Sequence, residues 1–392
     1  MKDNSWRLIL GRLFTGHFIS MFGTMVFNAS LLWWISEKTG STSSSAKILL
    51  SASVPLVFLN LFTGTLVDRW NKKWILVGAD ILAGLSCVGL YLVAQSEFNI
   101  NLVMFYNFII TLAYAFFSPC ARAIIPSLIP IENIQKVNSV LSIGMELSRV
   151  AGSSASGYVL FRWGAPAAFL VNAASFFISA LFEMTIPYVH IIRSQKKTIL
   201  EDLKTGFYYV FLNKNVYFPL LLAAIFNFFA MGSFVAMPLY LKVILGEGSP
   251  FYGVCLGLQS AGALISSVYL LFLSKKETSN LKLISILGIS GIAIASFGFS
   301  NKILFAIAFF IFGVCLSQFN VRFFSCLQKS VASEHLGKTM ASVFLIAGIL
   351  IPLGQIFFGW YGKQHLNTLY IFSGIGIIVC SFLLSLFQRK SI

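Results

Sequence analysis

Long apolar runs separated by short polar connections dominate this chain. They fall at about 8–35, 44–67, 74–95, 101–120, 137–161, 164–186, 216–243, 251–274, 281–300, 302–322, 339–362 and 366–387. An α-helix crosses about 30 Å of hydrocarbon in roughly 20 residues, and each run is of that order. The pattern predicts an all-α membrane protein with twelve transmembrane helices. The first run is too long for a signal peptide and lacks a small-residue cleavage site, so it is expected to be a retained helix.

Within the apolar runs, polar residues recur at helical spacing. In the fifth run, Ser139, Ser142, Glu146, Arg149, Ser153 and Ser156 follow one another at steps of three or four, which places them on one helix face. If that helix enters the bilayer near Val137, Glu146 and Arg149 lie roughly 14–18 Å deep, at mid-membrane. Charges there cost several kcal/mol unless paired or facing water. Their i, i+3 spacing permits a pair, which serves either a solvated path or a structural lock to a neighbouring helix. The first run carries a second stripe, His17, Ser20, Thr24 and Asn28, at steps of three, four and four. Two stripes imply a shared polar interior. His17 is either a titrating group or a histidine hydrogen-bonded to a neighbouring helix. Trp33 and Trp34 are expected at the outer interface, where indoles concentrate.

Composition supports the membrane reading: 57% of residues are hydrophobic and 10% charged, against about a quarter charged in soluble domains. The net charge of +15 would suit nucleic acid, but its distribution points elsewhere. Twenty-one of the 28 lysines and arginines lie on the side of the two termini, six lie opposite, and Arg149 is inside the membrane. By the positive-inside rule both termini are cytoplasmic, and nucleic acid is not an expected partner. The six cysteines, in apolar runs or on the cytoplasmic side, show no disulfide or metal spacing.

Between the second and third runs the chain reads Gly64-Thr65-Leu66-Val67-Asp68-Arg69-Trp70-Asn71-Lys72-Lys73. This resembles the signature loop of the major facilitator superfamily, with Gly64, Leu66, Asp68, Arg69, Lys72 and Lys73 matching. Asn71 stands where that loop usually has glycine, and Asn tolerates the left-handed backbone of a tight turn. Gly16-His17, Ser20, Gly23 and Thr39-Gly40-Ser41 are similar to the opening of the branch holding macrolide-efflux and enterobactin-exporter proteins. Ser118-Pro119, Ala121-Arg122, Pro126, Pro130, Glu132 and Asn138-Ser139 are similar to the same branch after its fourth helix. In two places the chain departs from it. The acidic residue after the first-helix glycine is Thr24 here, and 106–117 lacks the arginine many relatives carry. Both positions are tied to proton coupling in the family, so Asp80, Glu146 and Arg149 are the first-half ionisable groups left for that role.

The resemblance implies two six-helix pseudo-repeat bundles: 1–186, a cytoplasmic central loop 187–215, and 216–392. Weak internal repetition agrees. Glu132-Asn133-Ile134-Gln135-Lys136 recurs as Glu334-His335-Leu336-Gly337-Lys338, and Gly152-x4-Gly157 recurs as Gly354-x4-Gly359. In the central loop, 198–211 has the pattern of an amphipathic helix lying on the membrane. The second half is less polar; its cavity candidates include Asn227, Gln259 and Gln355.

Gly337-Lys338-Thr339 lacks the preceding glycine of a phosphate loop, so no ATP site is expected. Scattered histidines give no metal site, no cofactor is implied, and no catalytic set converges. The expected protein is a secondary transporter with a gate motif of Gly64, Asp68, Arg69, Lys72 and Lys73. Glu146, Arg149 and Asp80 couple protons, and the substrate cavity holds His17, Ser20, Thr24, Asn28, Ser142, Ser153, Asn227, Gln259 and Gln355. The resemblance implies proton-coupled export of a bulky amphiphile, macrolide-like drug or siderophore, by a monomer in a bacterial inner membrane. An importer or a lipid flippase of the same fold is the alternative.

Overall fold

The computed structural model describes residues 5–188, 199–272, 280–331 and 333–390. Among them every regular element is helical: α1 (Ser5–Thr39), α2 (Thr42–Arg69), α3 (Lys72–Gln95), α4 (Ile100–Leu128), α5 (Ile134–Met184), α6 (Ile199–Leu212), α7 (Lys214–Phe226), α8 (Met237–Val243), α9 (Ser249–Phe272), α10 (Asn280–Ser296), α11 (Lys302–Ser330), α12 (Ser333–Tyr361) and α13 (Leu369–Lys390). Eleven helices in the described residues are long and apolar enough to cross a membrane. One of them is α5, whose 51 residues would extend about 75 Å if straight, more than twice a hydrocarbon core. It breaks at Gly164, with φ 76° and ψ 176°, just before Pro166. Only glycine adopts that backbone readily, and it turns one merged helix into the two expected spans. The seventh span is interrupted: α7 passes through a π-turn at Asn227–Met231 and a 3-10 turn at Phe234–Ala236 before α8.

The chain divides into two compact units, Met1–Trp34 with Phe58–Lys196 and Ile35–Val57 with Lys197–Ile392. In the first, α1 lies against both halves of α5. On one side Phe14, Phe18 and Phe22 step along α1 by four. They meet Gly144, Ser148 and Gly152 of α5, also spaced by four. The Ser148 hydroxyl donates to the Phe18 carbonyl at 3.0 Å, and Gly152 faces the Phe22 carbonyl. Small residues at this spacing let helix backbones approach where no hydrophobic effect drives association. On the other side Gly16 and Gly23 meet Ser179 and Ser175 of α5 beyond its kink. α3 packs along α5 and α4. Trp33 and Trp34 are buried, each 6% exposed. Trp34 packs edge-on to Phe98 and Phe169.

In the second unit α9 packs along α11, with Gly262 against the Phe310 carbonyl and Gly313 against the Gln259 carbonyl. Phe297, Phe305, Phe309, Tyr240 and Tyr370 form its aromatic core, with Phe297 and Phe309 ring centroids 4.5 Å apart. Gly354 of α12 faces the Phe228 carbonyl in the π-turn. Gly152 makes the same contact with α1 in the first unit, so Gly152 and Gly354 occupy equivalent packing positions. α6 docks on α12 through Gly206, which meets the Lys338 carbonyl and Ser342. Val210 is buried on α6, while Tyr208, Phe211 and Leu212 are exposed.

Asn71 takes an extended backbone, φ −68° and ψ 107°, not the left-handed one expected. It is the N-cap of α3: its side-chain oxygen accepts from the amides of Lys73 at 3.1 Å and Trp74 at 3.4 Å. An asparagine succeeds here because a helix starts here, and its oxygen satisfies amides that would otherwise lack partners. Asn99 and Asn301 cap α4 and α11 in the same way.

Candidate functional site

The first unit encloses a cavity of about 480 Å³, within the range that holds small organic ligands. From α1 the His17, Ser20 and Thr24 side chains line it, with Arg12 one turn before. These residues share a face because they recur at helical spacing. Asp80 enters from α3, Tyr114, Phe117 and Arg122 from α4, and Ser142, Phe176 and Glu183 from α5. His17 stacks on Phe117, ring centroids 5.7 Å apart and planes 10° apart. It also lies within electrostatic reach of Arg122. Arg122 and Asn138 are exposed and line the open side. Arg12 is held in place by its Nη1, which donates to the Thr185 carbonyl at 2.8 Å.

Of the expected cavity residues, His17, Ser20, Thr24 and Ser142 therefore converge, and Asp80 joins them. Asn28 is exposed and Ser153 is buried, and neither lines this cavity. The α5 stripe splits along its length. Ser142 faces the cavity, whereas Ser156 is fully buried and donates to the Ser153 carbonyl at 2.7 Å. Glu146 and Arg149 pair at 3.8 Å, with side chains 34% and 43% exposed, outside the cavity lining. The Arg149 Nε is buried without a hydrogen-bond partner.

The second-unit candidates are scattered. Gln355 is buried, and its Oε1 accepts from the Ser53 hydroxyl at 2.7 Å. Asn227 donates through Nδ2 to the Ala347 carbonyl at 2.9 Å, joining the π-turn to α12. Gln259 is half-buried beside Gly313. Of the gate motif, the side chains of Gly64, Asp68 and Arg69 lie outside the described residues. Lys72 is buried, and Lys73 stands over the Trp74 ring at 5.7 Å from its centroid.

Glu183 was missed among the expected site residues. Its signal was present: Asn172, Ser175, Ser179 and Glu183 step by three, four and four, a third polar stripe. In the fold this stripe is a buried seam. Asn172 donates to Cys87 Sγ at 3.5 Å, and Ser175 donates to Asn172 Oδ1 at 3.2 Å. At its end Glu183 reaches the cavity wall, within electrostatic reach of Asp80. Tyr114, Phe117 and Phe176 were hidden among forty phenylalanines and thirteen tyrosines. No periodicity separates a ring that lines a pocket from one that faces lipid.

A family model described as Major Facilitator Superfamily matches residues 13–354. Macrolide efflux protein A of Streptococcus pyogenes is 23% identical over 395 residues, covering 97% of this chain and 95% of that protein. The putative bacilysin exporter BacE of Bacillus subtilis (strain 168) is 24% identical over 351 residues, covering 86% and 83%. Among solved structures, the nucleoside transporter NupG superposes with a TM-score of 0.74 at 15% identity, covering 96% of this chain and 98% of that one. A bacterial homologue of the iron transporter ferroportin superposes with 0.75 at 15% identity, covering 96% and 97%. At these identities the structural likeness speaks for the fold alone.

Proposed function

The chain belongs to the major facilitator superfamily, and from that premise we propose that it exports bulky amphiphilic organic compounds in exchange for protons. The observation that carries this reading is the first-unit cavity. It joins aromatic walls (Tyr114, Phe117, Phe176) to a polar stripe (His17, Ser20, Thr24) and two buried carboxylates (Asp80, Glu183). An apolar surface with a few convergent polar groups suits a ligand that is mostly greasy and carries one charged or hydrogen-bonding head. The acids favour a weakly basic head, as on a macrolide amine. Relatives named for macrolide efflux and bacilysin export point the same way.

In this reading both termini are cytoplasmic, from the asymmetry of lysine and arginine, and the protein works as a monomer in the inner membrane. Gly64, Asp68, Arg69, Lys72 and Lys73 latch the cytoplasmic gate. Alternating access exposes the site to each side in turn, and protonation of the site acids biases which side is open. A second reading, export of an anionic siderophore-type chelator, is favoured by Arg12 and Arg122 at the same cavity.

The test is accumulation of radiolabelled erythromycin in inverted membrane vesicles energised by an acid interior. Uptake that collapses with an uncoupler, and in a Phe117→Ala Tyr114→Ala double variant, supports the proposal. Uptake indifferent to the gradient refutes proton coupling. Accumulation of a catecholate chelator in place of erythromycin selects the second reading.

A further inference from the structure

The acidic wall of the cavity has an unusual chemical arrangement. Asp80 and Glu183 are 3% and 6% exposed, yet both line the cavity. Asp80 Oδ2 and Glu183 Oε2 have no hydrogen-bond partner. Glu183 lies within electrostatic reach of Asp80. The Ser179 hydroxyl lies beside the Asp80 carboxylate but makes no bond of proper geometry to it.

The charged and titratable groups nearby do not neutralise the pair. From α1 these are Arg12, engaged with the Thr185 carbonyl, and His17, stacked on Phe117. From α4 they are Arg122, which is exposed, and Tyr114. On α3 itself Lys72 lies eight residues, about 12 Å, before Asp80. Among the described residues neither carboxylate makes an ion pair. A buried charge without a partner costs several kcal/mol, and a second like charge beside it adds to that. One proton held by the two acids removes the repulsion, as in other carboxyl pairs.

We propose that Asp80 and Glu183 together form a single-proton exchange site, two buried acids that hold one proton between them, and that a cationic ligand head displaces its proton. The inference rests on the export reading and names the acids that couple it. In the exchange the O–H bond breaks and the proton passes to water on the open side of the cavity, past Arg122. The pair goes from one negative charge to two, and the incoming cation supplies the compensating positive charge. Glu146, already paired with Arg149 and outside the cavity, plays no part in this step.

The experiment uses the purified full chain in detergent, with infrared spectroscopy of the carboxylic-acid C=O stretch as pH is raised. A band that titrates in the wild type, shifts in Asp80→Asn and in Glu183→Gln, disappears in the double variant, and persists in Asp80→Glu is expected. Tetraphenylphosphonium is the cation probe. Its binding lowers the band and releases up to one proton per bound cation to an indicator dye. A band absent from the wild type, or one lost only in Glu146→Gln, overturns the proposal. So does a band unmoved while tetraphenylphosphonium is measured to be bound. If vesicle uptake of erythromycin fails while the band behaves as described, the export reading falls and the proton site stands. If uptake is gradient-driven and the band is missing, the proton site falls alone.

Discussion

Replacing Gly152 with alanine perturbs the α1–α5 seam where the nearest obstacle is main chain. A Cβ added there would stand 2.7 Å from the Phe22 carbonyl oxygen and 2.8 Å from Met25 Cβ. Ordinary contact for such a pair lies near 3.5 Å or more, so α1 and α5 would have to separate by most of an ångström. The obstructing carbonyl is main chain, and no rotamer change moves it away. Overpacking of this kind costs about 1–3 kcal/mol, while alanine returns up to about 1 kcal/mol of helix propensity. The net is a destabilisation of about 0–2 kcal/mol, and larger for Gly152→Leu.

Gly78 of α3 is the matched control, because a Cβ there meets nothing within 4 Å. Gly78→Ala therefore keeps the propensity gain without the clash. In thermal unfolding of the detergent-purified protein followed by tryptophan fluorescence, the expected order of Tm is Gly78→Ala, then wild type, then Gly152→Ala, then Gly152→Leu. A Gly152→Ala protein as stable as Gly78→Ala would refute the close-packed seam.

Three further outcomes follow from the same contacts. Asn71→Ala should lower stability by about 0.5–2 kcal/mol through loss of the α3 cap, and Asn71→Gly by only a few tenths; a glycine variant more stable than wild type in the same melt would revive the left-handed turn. Ser53→Ala leaves the Gln355 amide oxygen buried without its donor, at a cost of about 1 kcal/mol. The double variant with Gln355→Leu should recover part of that loss, and additive losses in the double-mutant cycle would show that the two side chains are not coupled. For orientation, a cysteine at Lys302 should react with a membrane-impermeant maleimide in intact cells and one at Lys204 only after lysis; the opposite pattern would invert the proposed topology.

Much of the architecture was legible before any coordinates, because a bilayer imposes a length and an apolarity that survive in one dimension. The twelve runs correspond to the spans of the fold, including the fifth and sixth, which join into one helix whose kink the Gly164-x-Pro166 pair marks. One-turn periodicity also found real faces. The α1 stripe reaches the cavity with three of its four members, His17, Ser20 and Thr24. The same rule, applied to Asn172, Ser175, Ser179 and Glu183, would have found the acid that completes the site.

What the chain by itself determined, then, is that polar residues share a helix face; what only tertiary structure decided is what that face meets. Along α5 a single stripe begins at the cavity with Ser142, passes a half-exposed ion pair at Glu146 and Arg149, and ends packed at Ser153 and Ser156. Spacing cannot distinguish these environments, because each depends on the neighbouring helix at that level. Asn71 makes the same point at the scale of one residue. Its identity permits a left-handed turn or a helix cap, and the start of α3 selects the cap because unpaired amides are waiting there for its oxygen.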